Sequence, residues 1–209
     1  MAETTTTTAD ALSGEEQLLR WKPRMGALSV AEKIETAEML KRQANVFFKR
    51  GELKKALSVY AKVFAYVNGL SVQGDAMSQY AGHAPDMSAT AAEGAQIREL
   101  KIAAWANMAF CHVKLGPERA AKALECCEKV LAEDPSHSKA RFRKAQALAQ
   151  LRHFERALAV LADLARAEPK NGAVRAELRR VQQLKKQDDD AARAKEKSAF
   201  ANMFAASKQ

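Results

Sequence analysis

Two prolines, Pro135 and Pro169, stand 34 residues apart, and each closes an apolar helix, in LAEDP and RAEP. The pairs Ala123-Leu124 and Ala157-Leu158 keep the same interval of 34 and open the helices that lead to those prolines. A fixed interval of this length spaces helix–turn–helix repeats, none of which buries its apolar face alone. Three such repeats align along the chain. The first holds Ala44, Phe47, the turn Arg50-Gly51-Glu52, then Ala56, Tyr60 and Val63. The second holds Ala109, His112, a turn around Gly116-Pro117, then Ala123, Cys127 and Val130. The third places Ala145 on its first helix and Ala157, Leu161 and Leu164 on its second. The second turn is longer, since Ala109 to Ala123 is 14 residues against 12 for Ala44 to Ala56 and for Ala145 to Ala157. Small residues recur where two helices approach closely, and large apolar residues fill the space between them.

This period resembles that of tetratricopeptide (TPR) units. The resemblance implies an all-α fold of three tetratricopeptide helix–turn–helix repeats in a right-handed superhelical array, plus a long C-terminal capping helix. Residues 1–28, Thr-rich and acidic at their start, are expected to form a disordered N-terminal tail. Residues 29–170 are expected to form the TPR domain. Its first helix starts at the S-x-x-E capping box of Ser29 and Glu32 and runs to Gly51. The second begins near Leu53 and fades near Asn68. An insertion at about 69–92 then interrupts the period, broken up by Gly69, Gly74, Gly82 and Pro85. Part of it is expected to extend the flanking helices and its middle to be a mobile loop. Residues 171–209 are expected to form the capping helix and tail. Val174, Leu178, Val181 and Leu184 give that helix one apolar face, and beyond Asp188-Asp189-Asp190 it becomes charged and projects into solvent.

A length of 209 residues suits one domain with tails. Alanine is abundant, aromatics are few and β-branched runs are scarce, which favours helix. The three cysteines, Cys111, Cys126 and Cys127, cannot form a paired framework and read as buried thiols of a reducing compartment. His83, His112, His137 and His153 are scattered and no C-x-x-C exists, so neither a metal nor any other cofactor is expected. The start MAETTTTTAD lacks a signal pattern, and no apolar run approaches the ~20 residues of a membrane span. A cytoplasmic location is expected, with the nucleus also open.

Five polar residues stand out on the first helices of the repeats. Lys41 and Asn45 are spaced i, i+4 and share a face of the first such helix. Lys139 and Arg143 keep that spacing on the third, at its second and sixth places. Asn107 takes the sixth place in the second repeat. Cations with amide donors, and no acid among them, suit a ligand whose ionised oxygens need several donors. A merely solvated face has no reason to prefer Asn45 and Asn107, both poor helix formers. The charged ends of Lys139 and Arg143 are expected to lie in water.

These positions resemble the two-carboxylate clamp of co-chaperone TPR domains, which bind the C-terminal Glu-Glu-Val-Asp peptide of the 90-kDa and 70-kDa heat-shock chaperones. By that resemblance Lys41, Asn45 and Asn107 hold the terminal main-chain carboxylate, Lys139 meets the final aspartate side chain, and Arg143 meets a more upstream acid. The stretches AEKIETAEMLKRQANVFFKRGELKKAL, WANMAFCHVKL, ALECCEKVL, KARFRKAQAL and FANMF resemble the TPR regions of large FK506-binding immunophilins. Two departures stand out: Ala44 replaces the glycine before the clamp asparagine, and the insertion is longer than the family carries. Only 28 residues precede Ser29, too few for an isomerase domain of about 100 residues, so no peptidyl-prolyl isomerase activity is expected. With no nucleophile–base pair or phosphate-binding loop, the chain reads as a binding module and not an enzyme. Two rival readings are a TPR scaffold for another client and, from the net charge of +9, a nucleic-acid binder. The basic cations of the latter are spread over several helices, with few aromatics for base stacking. The immunophilin resemblance also raises calmodulin binding by the basic C-terminal helix.

Overall fold

In each repeat, the residue seven places after the small alanine of the first helix leaves the right-handed region. In this computed structural model Gly51 has φ 76°, Gly116 φ 104° and Arg152 φ 63°. The left-handed residue ends the helix and lets the chain reverse. In the first repeat Glu52 N donates to Phe47 O at 2.9 Å and Gly51 N to Phe48 O at 3.0 Å. In the third, His153 N donates to Leu148 O at 2.9 Å and Arg152 N to Ala149 O at 3.1 Å. This doubled bond pattern satisfies the last carbonyls of a helix, and it favours glycine at the left-handed position because glycine has no Cβ to clash. The third repeat puts an arginine there instead.

The structure describes residues 14–72 and 88–206. They form eight α-helices, α1 (Gly14–Arg20), α2 (Val30–Lys49), α3 (Leu53–Val67), α4 (Ala91–Leu115), α5 (Ala120–Glu133), α6 (Ser138–Gln150), α7 (Phe154–Ala167) and α8 (Gly172–Ala206). A 3-10 turn, Pro117–Arg119, lengthens the second repeat's connection. Two short strands, β1 (Ser71–Val72) and β2 (Ser88–Ala89), pair in parallel across the insertion. The chain divides into two compact units, Met1–Ala104 and Trp105–Gln209.

In the first unit, α2 and α3 form the first repeat, with Ala44, Ala56, Tyr60 and Val63 each fully buried. The capping box is present: Glu32 N donates to Ser29 Oγ at 3.3 Å, and Ser29 N to Glu32 Oε2 at 2.9 Å. Residues 14–28 correct the expectation of a tail disordered through residue 28. Gly14–Arg20 is helical, and the buried amide of Gln43 donates from Nε2 to Leu18 O, Leu19 O and Trp21 O at 3.0, 3.2 and 3.1 Å. One side chain thus takes three carbonyls at and just past the end of α1, where a helix leaves them without partners. Residues 1–13 lie outside the described residues. So do 73–87, on which the expected mobile loop falls. Of the insertion at about 69–92, only Ala91 and Ala92 are helical among the described residues; they open the 25-residue α4 at its own capping box, where Glu93 N donates to Thr90 Oγ1 at 3.2 Å.

In the second unit, the end of α4 packs with α5, and α6 with α7. Ala109, Ala123, Cys127 and Val130 are fully buried, as are Ala145, Ala157 and Leu161. The apolar face of α8 closes this core: Val174 and Val181 are buried against Leu148, Leu161 and Leu164, with Leu178 and Leu184 beside them. Asn171 caps α8 through Oδ1, which accepts from Ala173 N at 3.1 Å and Val174 N at 3.2 Å. An ion pair between Arg152 and Asp188, and another between Lys185 and Glu155 at 3.0 Å, hold α8 to the α6–α7 turn and to α7. From Ala191 to Phe200 every residue of α8 is exposed, in line with its charged sequence. No helix among the described residues is long and apolar enough to cross a membrane.

Candidate functional site

In the first unit, Lys41 and Asn45 lie on one face of α2, one turn apart, and both are half-buried. The hydroxyl of fully buried Tyr60 donates to Asn45 Oδ1 at 2.5 Å. That bond fixes which end of the amide is acceptor, so Nδ2 becomes the end suited to an anionic oxygen. Tyr60 is part of the repeat skeleton, and its role toward Asn45 carries no separate signal in the sequence.

In the second unit, Asn107 is half-buried on α4, and Lys139 and Arg143 stand on α6. Lys139 is exposed as expected. Arg143 is not simply in water: its Nη1 donates to Ala106 O at 2.6 Å, and its guanidinium lies 5.0 Å from the centre of the Phe110 ring. The α4 backbone and one aromatic face therefore hold the guanidinium plane. Lys114 Nζ also lies over Phe110, 5.5 Å from its centre. Lys139 and Arg143 come together on the wall of a cleft of about 760 Å³, which also takes in Phe110 and Lys114 from α4 and Glu177 and Arg180 from α8. Asn107 is not among the cleft's lining residues.

Both acids of the wall are engaged by neighbours. Arg180 grips buried Glu177 with two bonds, Nε to Oε2 at 2.8 Å and Nη2 to Oε1 at 2.6 Å. Asn171 Nδ2 donates to Glu168 Oε2 at 2.8 Å, and hydrogen bonds from the Ser138 and Asn171 side chains hold the Glu168 carboxyl below its ordinary pKa. Among the described residues this wall holds four cations and two occupied acids, which suits an anionic ligand. The thiols do not add chemistry. Burial pushes Cys111 up to about 11, Cys127 up to about 12, and Cys126 in the same direction, so all three are protonated and poor nucleophiles.

Residues 115–181 match the tetratricopeptide repeat family. Over 178 residues the chain is 30% identical to the peptidyl-prolyl cis-trans isomerase FKBP4 of Bos taurus, covering 85% of this chain and 34% of that protein. The mouse protein of the same name is 29% identical over 177 residues, with the same coverage of 85% and 34%. The chain thus spans about a third of the length of these curated relatives. Among solved structures, the C-terminal TPR-containing domain of a Plasmodium falciparum FK506-binding protein superposes with a TM-score of 0.64 at 21% identity, over 78% of this chain and 97% of that one. The Hsp90 co-chaperone Cns1 of Saccharomyces cerevisiae gives 0.58 at 22% identity, over 82% and 46%. At such identities the likeness is one of fold.

Proposed function

We propose that this chain, a tetratricopeptide-repeat domain homologous to the TPR region of FKBP4, is a non-enzymatic co-chaperone or adaptor that grips the C-terminal Glu-Glu-Val-Asp of the 90-kDa or 70-kDa heat-shock chaperone. The observation that carries it is the convergence of Lys139 and Arg143 on one cleft whose own acids are already engaged. Lys41, Asn45 and Asn107 take the terminal main-chain carboxylate, Lys139 the last aspartate, and Arg143 an upstream acid. A guanidinium carries five N–H donors, so the bond from Nη1 to Ala106 O orients the fork more than it consumes it. Tyr60 does the same for Asn45. No cofactor is required, and the proposed setting is the cytoplasm. The exposed end of α8, with Phe200 and Met203 open to solvent among basic residues, supports calmodulin as a second partner, which a calcium-dependent mobility shift would test.

Calorimetric titration with a free-ended Glu-Glu-Val-Asp peptide should give a dissociation constant on the order of micromolar, about −8 kcal/mol. The amidated peptide lacks the terminal charge and should bind far more weakly. Equal binding by the two peptides would overturn the clamp. A similar modest loss of duplex DNA or RNA binding for every removed cation would favour a nucleic-acid binder instead.

A further inference from the structure

The strap between α1 and α2 forms a second cleft, in the first unit, that the clamp does not use. It is held at both ends. Gln43 fixes Leu18, Leu19 and Trp21, while buried Leu28 and the capping residue Ser29 fix the entry to α2. In between, Tyr66 of α3 donates from its hydroxyl to Arg24 O at 3.1 Å and approaches Met25 Sδ at 3.7 Å. Gly26, at φ 118°, turns the chain so that Met25 stands 87% exposed, far more than any other large apolar side chain among the described residues. Strap, α2 and α3 enclose about 530 Å³, within the range of sites that hold small ligands or peptide side chains.

The chemistry of the lining is lopsided. Among the described residues Arg24, Lys33 and Lys62 surround it and no carboxylate lines it, while Leu28 and Tyr66 supply an apolar floor and Met25 an exposed apolar rim. Beside the cleft, Glu32 accepts from Arg24 Nη1 at 3.4 Å but is also held by the Ser29 capping box. A surface of this kind complements carboxylates spaced around one apolar side chain. A lipid surface fits less well, because Met25 is the one large apolar side chain of this lining, among the described residues, that stands exposed, while Leu28 is buried and Tyr66 half-buried.

We infer that the cleft between the strap and α3 is a second peptide-binding site, separate from the carboxylate clamp, that takes an internal acidic segment carrying an apolar side chain. Cations steer and orient such a segment, and the floor receives its apolar residue. The site has no dependence on a free C-terminus, since none of the five clamp residues lines it.

The test uses the full chain and a fluorescein-labelled, C-terminally amidated probe, Gly-Asp-Glu-Leu-Glu-Phe-Asp-Glu-Gly, whose amide end keeps it from the clamp. Fluorescence anisotropy should give saturable binding that weakens with added salt. An Arg24→Glu/Lys62→Glu variant should bind at least about tenfold more weakly, because like charges now face each other. Ala65→Trp fills the cleft from an exposed helix position without changing charge, and it should also abolish binding. Lys139→Ala/Arg143→Ala should leave the probe's affinity unchanged while losing the free-ended chaperone peptide, so failure of either site is distinguishable from failure of the other. The inference is overturned if the cleft variants bind the probe as wild type does. It is equally overturned if a probe with Leu and Phe replaced by Ser binds as well, or if only vesicles of mixed phosphatidylcholine and phosphatidylserine bind through Arg24 and Lys62.

Discussion

Arg143→Ala separates the two roles that the structure gives this residue. The guanidinium is half-buried, bonded to Ala106 O at 2.6 Å and stacked 5.0 Å from the Phe110 centre. A hydrogen bond from a charged donor contributes about 1.5–3 kcal/mol, and a partly shielded cation–π contact about 0.5–1 kcal/mol. These are not additive, since one truncation removes both and water then reaches the carbonyl. A loss of about 2–3 kcal/mol is expected. For a chain of this size each kcal/mol moves the melting temperature by about 2–4 °C, so thermal unfolding followed by far-UV circular dichroism should shift down by roughly 4–12 °C. Lys139→Ala, at an exposed position, should stay within about 0.5 kcal/mol of wild type. Both variants should nonetheless weaken the chaperone peptide by roughly tenfold to a hundredfold, measured well below either melting temperature, at about 1.4 kcal/mol per tenfold. An unchanged melting temperature for Arg143→Ala would refute the structural tie to α4. Loss of binding in Arg143→Ala with none in Lys139→Ala would show that binding fails through loosened packing, and the charge-recognition account of this cleft would fall.

Four further outcomes concern the packing and the turns. Truncation after residue 170 removes Val174, Leu178, Val181 and Leu184 from the core of α6 and α7, and each buried aliphatic side chain contributes roughly 1.5–3 kcal/mol. The truncated chain should melt lower and bind a hydrophobic dye, and an undisturbed melt would contradict the docking of α8. His112 is buried with Nδ1 lacking a hydrogen-bond partner among the described residues, and burial, aided by Arg119 and Lys122 and opposed by Glu125, holds its pKa below the ordinary value. The unfolded chain therefore takes up the proton first, near pH ~6.5. Stability should be full above that pH and decline below it, so the urea midpoint should fall between pH 7.5 and 5.5 in wild type but not in His112→Gln; parallel declines would exclude the histidine as the cause. Gly51→Ala adds a Cβ that meets nothing within 4 Å, so its cost is the left-handed backbone alone, about 1–2 kcal/mol. The reverse change at the matching turn, Arg152→Gly, should gain up to about 1 kcal/mol, less whatever is lost with the ion pair to Asp188, which is exposed at the arginine and half-buried at the aspartate. Equal urea midpoints for wild type and Gly51→Ala would refute the turn argument.

The sequence alone determined the repeat and its internal logic. The interval from Pro135 to Pro169, the alanines at 44, 109 and 145, and the glycines at 51 and 116 are local patterns, because helix period and turn chemistry act over a few residues. Burial of those alanines, the capping box at Ser29 and the apolar face of α8 accordingly appear where the spacing puts them. Lys139 and Arg143 were legible as a pair for the same reason. Only the tertiary structure decided what each polar group touches. Arg143 finds a carbonyl 37 residues away, and Gln43 finds carbonyls 22 to 25 residues away in a stretch whose Thr-rich, acidic beginning reads as tail. Neither glutamine nor arginine carries any local mark of such a partner, since a side chain's distant contact depends on how helices are laid together. The engaged acids of the cleft that holds Lys139 and Arg143, and the cationic cleft under the strap, have that same origin.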